Sequence, residues 1–355
     1  MTLADSQLAD AITLLTTDRP ALTEVHAAQL LQEHYGLEGE IEAQDSERDR
    51  NFLLRPAFGQ GCVLKIANSA EVEAITDFQI AALLHLEDSA IAARVPRVVS
   101  TIDGRTRIRV SAQDGRLHTA RVLSWLPGDV RRPESLGANA PYRMGETLAS
   151  LDVALRDFEH PASDYPLLWD IKRASGLRNL LDTVTDPALH DVLAAHLDTF
   201  TAEVEPRLPD LRWQVIHNDL NPGNVLFETG NADEVAGIID FGDMIRSPLA
   251  VDVAVACAYL CRKDDGSITD LLEFLRGYNA VTPLTPEEFE LLPYLVSARN
   301  VTTVVISHWR ASMYPDNRRY ILRSADRALR TLNTFGQRPP AEVTRDMQEY
   351  CENHD

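Results

Sequence analysis

Lysine is almost missing from this chain, with three in 355 residues, and acidic residues outnumber basic ones, 54 to 34. The formal charge of −20 repels phosphate backbones and anionic bilayers. Nucleic-acid or membrane-surface binding would need a local basic patch, and the sequence contains none. Cysteine is scarce too: Cys62, Cys257, Cys261 and Cys351 have neither CxxC nor Cys/His ligand spacing, which argues against a zinc site and for reduced thiols. The longest apolar stretch, Leu249 to Cys261, is interrupted by Asp252 and too short to span a bilayer, and the amino terminus lacks the basic start of a signal peptide. A cytoplasmic protein is expected. No internal repeat and no G-x-G-x-x-G phosphate loop is present.

What is present is an ordinary globular composition, 45% hydrophobic and 25% charged, in a chain long enough for two lobes with a shared core. Its most informative stretch runs from Val215 to Met244, VIHNDLNPGNVLFETGNADEVAGIIDFGDM. A His-x-Asp, an Asn five residues past that Asp, and an Asp-Phe-Gly closing an apolar run form the core of a phosphoryl-transfer site. Asp219 can orient a substrate hydroxyl and accept its proton. Asn224 and Asp240 supply the hard oxygen ligands that Mg²⁺ needs beside nucleotide phosphates. A base and a ligand five apart in an irregular loop can face one phosphoryl group, and Pro222-Gly223 mark that loop. Val225 to Phe227 and Val235 to Ile239 read as a hairpin that places Asn224 before one strand and Asp240 after the other. Singly each residue is an ordinary cap or turn residue; jointly they specify a nucleotide-dependent kinase.

Upstream, Thr23 to Tyr35 has a helical apolar stripe stopped by Gly36. Segments around Ile41, Phe52 to Leu54 and Cys62 to Ile66 read as a small antiparallel sheet with Lys65 on its third strand. A helix over Glu71 to Leu86 and strands at Val95 to Thr101, Thr106 to Val110 and Leu117 to Trp125 follow. Turn chemistry at Leu126 to Asp129 marks a boundary near Pro127, so that residues 1–127 form a nucleotide-binding lobe and 128–355 a catalytic and substrate-binding lobe. Apart from the motif hairpin, the second lobe reads as helices, and Pro339 to Asp355 as a short helix with a frayed acidic end.

A kinase needs a cation on the inner phosphates, and Lys65 in Val63-Leu64-Lys65-Ile66 is the candidate, with Glu71, Glu73 or Asp77 as its carboxylate partner. Without a glycine loop, phosphate contacts fall to short polar side chains and backbone N–H groups near Ser46 and Asn51. The backbone of Val122 to Leu126, including Ser124 and Leu126, would pass the nucleobase, which leaves ATP or GTP open. Asp252, on an apolar helix, is expected to be buried and to brace the catalytic loop. Asp243 could extend the metal site, receive a substrate amine or cap the next helix.

These residues resemble the aminoglycoside phosphotransferase and choline kinase superfamily, through His217 to Asn224 and Ile239 to Asp243. Within it the hydroxylysine kinase branch is the most similar, through Asp49-Arg50-Asn51-Phe52, Val63 to Ile66, Leu123 to Gly128, Leu168-Trp169-Asp170, Pro315-Asp316-Asn317 and Tyr320-Ile321-Leu322. The resemblance implies an α+β, protein-kinase-like two-lobed fold: a small N-terminal antiparallel-sheet lobe and a larger, mainly helical C-terminal lobe. It implies Asp219 as catalytic carboxylate, Asn224 and Asp240 as metal ligands, Lys65 as phosphate lysine and a lysine partner near Asp77. Acceptor contacts would come from Trp169, Asp170, Arg299, Trp309, Arg310 and Tyr314 on the second lobe. An amino-acid acceptor needs an Arg for its carboxylate and an acid or aromatic face for its ammonium, and Arg310 beside Trp309 with Asp170 beside Trp169 could serve.

The expectation is therefore Mg²⁺-dependent transfer of the γ-phosphoryl group of ATP or GTP to a hydroxyl of a small amine-bearing acceptor, 5-hydroxylysine first. Homoserine, choline, ethanolamine or an aminoglycoside is the alternative acceptor, and a catalytically silent nucleotide-binding partner protein is the alternative class. Composition and motif leave the oligomeric state open.

Overall fold

In a computed structural model that describes residues 5–132, 135–261 and 267–353, the chain forms an antiparallel sheet lobe followed by a mainly helical lobe. Helix α1 (Asp5–Thr16) is followed by α2 (Glu24–Tyr35). The Thr23 hydroxyl accepts from the His26 backbone N–H at the start of α2, and Gly36, at φ 66°, ends the helix in the left-handed conformation that glycine tolerates best. Strands β1 (Glu40–Gln44), β2 (Arg50–Arg55), β3 (Cys62–Ile66), β4 (Val98–Val99), β5 (Ile108–Ser111) and β6 (Leu117–Ser124) form one antiparallel sheet, ordered β1-β2-β3-β6-β4 with β5 also on β6. Lys65 stands opposite Asn51 on one side and Arg121 on the other, in the middle of this sheet rather than at its edge. Phe52, Leu54, Leu64, Ile66 and Val122 bury one sheet face against Leu31 and Tyr35 of α2.

Helix α3 (Glu73–Leu86) belongs to the other core: Ile75, Phe78, Leu83 and Leu86 pack into the large cluster of the helical lobe, as do Leu8 and Ala11 of α1. The apolar core therefore does not divide where the sheet ends. The chain leaves β6 at Ser124 and forms β7 (Asp129–Val130), which pairs with a strand of the catalytic motif.

The second lobe contains α4 (Ala140–Leu155), α5 (Pro187–Thr199), α6 (Leu249–Ala258), α7 (Thr269–Val281), α8 (Pro286–Met313), α9 (Arg318–Gly336) and α10 (Pro340–Asn353). Helices α4 and α7 cross at glycines, where a Cβ on Gly145 or Gly277 would collide with a backbone carbonyl of the other helix. A three-stranded sheet and a strand pair frame the site. β9 (Val225–Phe227) lies between β10 (Val235–Ile238) and β7, and β8 (Trp213–Ile216) pairs with β11 (Ile245–Pro248). This pair departs from the all-helical reading of the lobe: its strands are four residues each, one ending in proline, too short to stand out in sequence. Among the described residues no helix is long and apolar enough to cross a membrane.

Helix α6 is buried along its whole length. Each of its leucine and valine side chains contributes roughly 1.5–3 kcal/mol by leaving water. That gain coexists with a buried carboxylate, Asp252, because both of its oxygens accept backbone hydrogen bonds, from His217 N at 2.9 Å and Asn218 N at 2.7 Å. The catalytic loop is thus bolted to the core by the residue that the sequence marked for that purpose.

Candidate active site

The loop after β8 is fixed residue by residue. Asn218 takes φ 64°, a left-handed conformation uncommon outside glycine, and its two bonds to Asp252 and to the Asp243 carbonyl, at 3.2 Å, hold it there. His217 accepts the Asp219 N–H on Nδ1 at 3.3 Å and donates from Nε2 to the Ile239 carbonyl at 3.1 Å, so one ring ties the loop to the end of the hairpin. Asp219 Oδ2 accepts from Asn224 Nδ2 at 2.7 Å and Asn221 Nδ2 at 3.1 Å, leaving Oδ1 with one longer contact, to Arg299 Nη2 at 3.3 Å. Burial first, then the carboxylates of Asp243 and Asp240, push Asp219 up to about 7 against the pull of Arg299. A carboxyl poised near neutrality can take a proton from an alcohol and return it.

Asp240 also adopts a left-handed backbone, φ 63°, at the mouth of the hairpin. Its Oδ1 accepts from Lys65 Nζ at 2.9 Å, and that ammonium holds the carboxylate well below its usual range. Asn224 and Asp240 are joined through their strands, since Ile239 N donates to the Asn224 carbonyl at 2.9 Å, and both line one cleft. Because Asn224 donates its amide N–H to Asp219, its oxygen is turned the other way. The described residues contain no group of three or more His, Cys, Asp or Glu able to enclose a metal by themselves. An Asn and an Asp oxygen fit Mg²⁺, which takes one or two protein ligands and completes its shell with phosphate and water.

The cleft between sheet and hairpin measures about 610 Å³. Val63, Leu123, Leu126 and Leu226 give it apolar walls, and Asn51, Lys65, Asn224 and Asp240 line it as polar residues. Ser124 is on its wall, with its hydroxyl accepting from Arg97 N at 2.9 Å, and the Asn51 side-chain oxygen is buried with no partner among the described residues. Ser46 lines an adjoining chamber of about 170 Å³ with Lys65, Asp219, Asp240 and Asp243.

Several expected roles are corrected by position. Asp77 does not meet Lys65: it faces Arg107 on the approach to β5, bonded to Nη2 at 3.2 Å, and Lys65 takes Asp240 instead. Asp170 is fully buried and paired with Lys172 at 2.6 Å, which closes it to an acceptor. Trp309 packs in the large core, Arg310 is ion-paired with Glu47, and Asp243 is ion-paired with Arg48 at 2.6 Å. Trp169 is close to the site, but as the ring beneath Arg299, 5.1 Å from guanidinium to centroid. The cation beside Asp219 is thus Arg299, 80 residues away in sequence, which also donates to Tyr259 Oη at 3.1 Å. Arg299, expected among the acceptor contacts, lies against Asp219, and no local pattern in the sequence marks Arg48.

Fold and site together define a two-lobed phosphotransferase. The model of the APH family, described as the phosphotransferase enzyme family, matches residues 41–292, and the chain belongs to that family. It is 26% identical to hydroxylysine kinase of Mus musculus over 351 residues, 92% of this chain and 93% of that protein. It is 30% identical to homoserine kinase of Rhodopseudomonas palustris over 247 residues, 69% of this chain and 71% of that protein. Among solved structures, the microcompartment-associated aminopropanol kinase superposes with a TM-score of 0.70 at 20% identity, over 88% of this chain and 99% of that one. The amicoumacin kinase hAmiN in complex with AMP-PNP, Ca²⁺ and Ami gives 0.67 at 13% identity, over 90% and 95%. The protein is a small-molecule kinase, an enzyme that phosphorylates a hydroxyl group.

Proposed function

We propose that this kinase transfers the γ-phosphoryl group of ATP or GTP to the hydroxyl of a hydroxy amino acid or small amino alcohol, with 5-hydroxylysine the first candidate and homoserine the second. The observation that carries the reading is Asp219, a carboxyl raised to about 7 with Oδ2 fastened by two amides, whose side chain lines the chamber that Lys65 and Asp240 also line. The likeness to hydroxylysine and homoserine kinases supports the acceptor class, because both names denote hydroxy amino acids.

In this reading residues 1–127 hold the nucleotide and residues 128–355 the catalytic and acceptor groups. The base stacks between Val63, Leu123 and Leu226, with the backbone from Ser124 to Leu126 along its edge, and Lys65 meets the phosphates. Asn224 and Asp240 hold the divalent cation, which when bound neutralises phosphate charge and orients the reacting group. Asp219 Oδ1 accepts the acceptor's hydroxyl proton as the oxygen–phosphorus bond forms and the bond to the leaving diphosphate oxygen breaks. Positioning and electrostatics supply most of the rate.

The test is to incubate the purified protein with Mg²⁺ and ATP or GTP and to follow phosphorylated product by mass across 5-hydroxylysine, homoserine, ethanolamine, choline and one aminoglycoside. Preferential turnover of a hydroxy amino acid or small amino alcohol is expected. Preference for the aminoglycoside, or no product from any acceptor, would overturn the acceptor class.

A further inference from the structure

We propose that Arg48 is the residue that takes hold of the terminal phosphoryl group, and that Asp243 is its place-holder until nucleotide enters; this rests on the kinase reading above. The connector between β1 and β2, residues 45–49, stands where a glycine-rich loop would offer backbone N–H groups. It carries one cation. Arg48 Nη2 lies 2.6 Å from Asp243 Oδ1, with both side chains largely buried, at 13% and 16% exposure. A Cβ on Gly242 would be 3.6 Å from the same nitrogen, so the guanidinium rests on the Asp-Phe-Gly segment itself. Glu47, next to it, is ion-paired with Arg310 on α8, which ties the connector across the site to the helical lobe.

Charge gives this arrangement its direction. The chamber of about 170 Å³ under the connector is lined by six carboxyl side chains and two cations, Arg48 and Lys65. Lys65 is paired with Asp240, and Arg48 with Asp243. A γ-phosphoryl group brought beside Asp219 would enter a field of its own sign. Arg48 is the cation that can turn to it, exchanging a carboxylate oxygen for phosphate oxygens in the bidentate geometry that a guanidinium favours. The exchange substitutes one buried ion pair for another, so the guanidinium is never left without a counter-charge. No covalent step is involved.

The prediction is specific to the third phosphate. Binding of AMP-PNP and of ADP, each with Mg²⁺, is measured by calorimetry for the wild type, Arg48→Gln, Arg48→Lys, Asp243→Asn and the double variant, with thermal unfolding as the folding check. Arg48→Gln should weaken AMP-PNP by about 10–100-fold and ADP by less than about threefold, with Arg48→Lys in between. Asp243→Asn should strengthen AMP-PNP when Arg48 is present and lose that gain in the double variant, which removes both charges of the pair and so leaves neither unpaired. Equal losses for both nucleotides, no loss for either, or the same gain from Asp243→Asn with and without Arg48 would overturn the proposal while leaving the kinase reading intact. A wild-type protein that binds neither nucleotide would overturn both.

Discussion

Asn224 donates its side-chain amide to Asp219 Oδ2 at 2.7 Å, so in the proposed mechanism the residue offered to the metal also sets the rotamer of the base. Replacing it by Asp keeps an oxygen for the cation but places a second carboxylate against the first. Asn224→Asp should lower kcat by about 10²-fold or more, the scale of general-base catalysis, because like charge drives Asp219 toward its protonated form. Kinetics at several pH values checks this, and the loss should shrink as pH rises. A pH-independent loss would assign Asn224 to metal binding alone.

The wild-type pH profile follows from Asp219. A base works ionised, and Asp219 is raised to about 7, so kcat/KM should climb roughly tenfold per pH unit below that value and level above it. Arg299 pulls Asp219 downward, so Arg299→Gln should move the rising limb to higher pH. A flat profile between pH 5 and 8 at constant nucleotide saturation would contradict the assignment.

Lys65 and Asp77 should separate cleanly. Asp77 serves Arg107 at the sheet margin, so Asp77→Asn should change nucleotide affinity by less than about threefold, whereas Lys65→Met should weaken it by about tenfold or more. Titration calorimetry reads both. A large loss in the Asp77 variant would restore the pairing suggested by sequence.

Asp152 and Asp252 form a buried carboxyl pair with distinct duties. Asp252 accepts two backbone N–H groups, and Asp252→Ala should cost about 2–4 kcal/mol in stability, since both donors would lose their buried partner. Burial and the neighbouring Asp252 push Asp152 well above the usual carboxylate range, which favours its neutral form, and its Oδ2 accepts from Tyr278 Oη at 2.7 Å. An amide reproduces that pattern, and Asp152→Asn should stay within about 1 kcal/mol of wild type. Denaturant melts at neutral pH measure the two; equal costs would contradict the division.

What sequence disclosed was what is local in the chain. His217, Asp219, Asn224 and Asp240 fall within 24 residues and are joined by one loop and one hairpin, so their spacing alone reports the geometry. Helix α2 was equally plain from its stripe and its glycine stop. Helix α1 went unmarked although Leu8, Ala11 and Leu14 form a buried stripe. The partners of the catalytic groups were hidden for a different reason. Arg48 reaches Asp243 across 195 residues, a contact between the lobes, and Arg299 reaches Asp219 across 80, a contact of α8 with the loop after β8 inside the second lobe. Position on the next helix leaves Glu71, Glu73 and Asp77 as candidates for Lys65 and the family resemblance points to Asp77, but its face of α3 turns to Arg107, a choice that helix rotation makes and composition does not. Asp170 and Arg310 had the right chemistry for an acceptor and were already neutralised by Lys172 and Glu47.

The most direct measurement compares wild type with Asp219→Asn for phosphoryl transfer from Mg²⁺-ATP or Mg²⁺-GTP to 5-hydroxylysine and homoserine, with nucleotide affinity measured on the same samples. Asp219 as base requires product from wild type, a fall in kcat of about 10²–10⁴-fold in the variant, and nucleotide affinity within a few-fold. Full turnover by Asp219→Asn with nucleotide bound would contradict it.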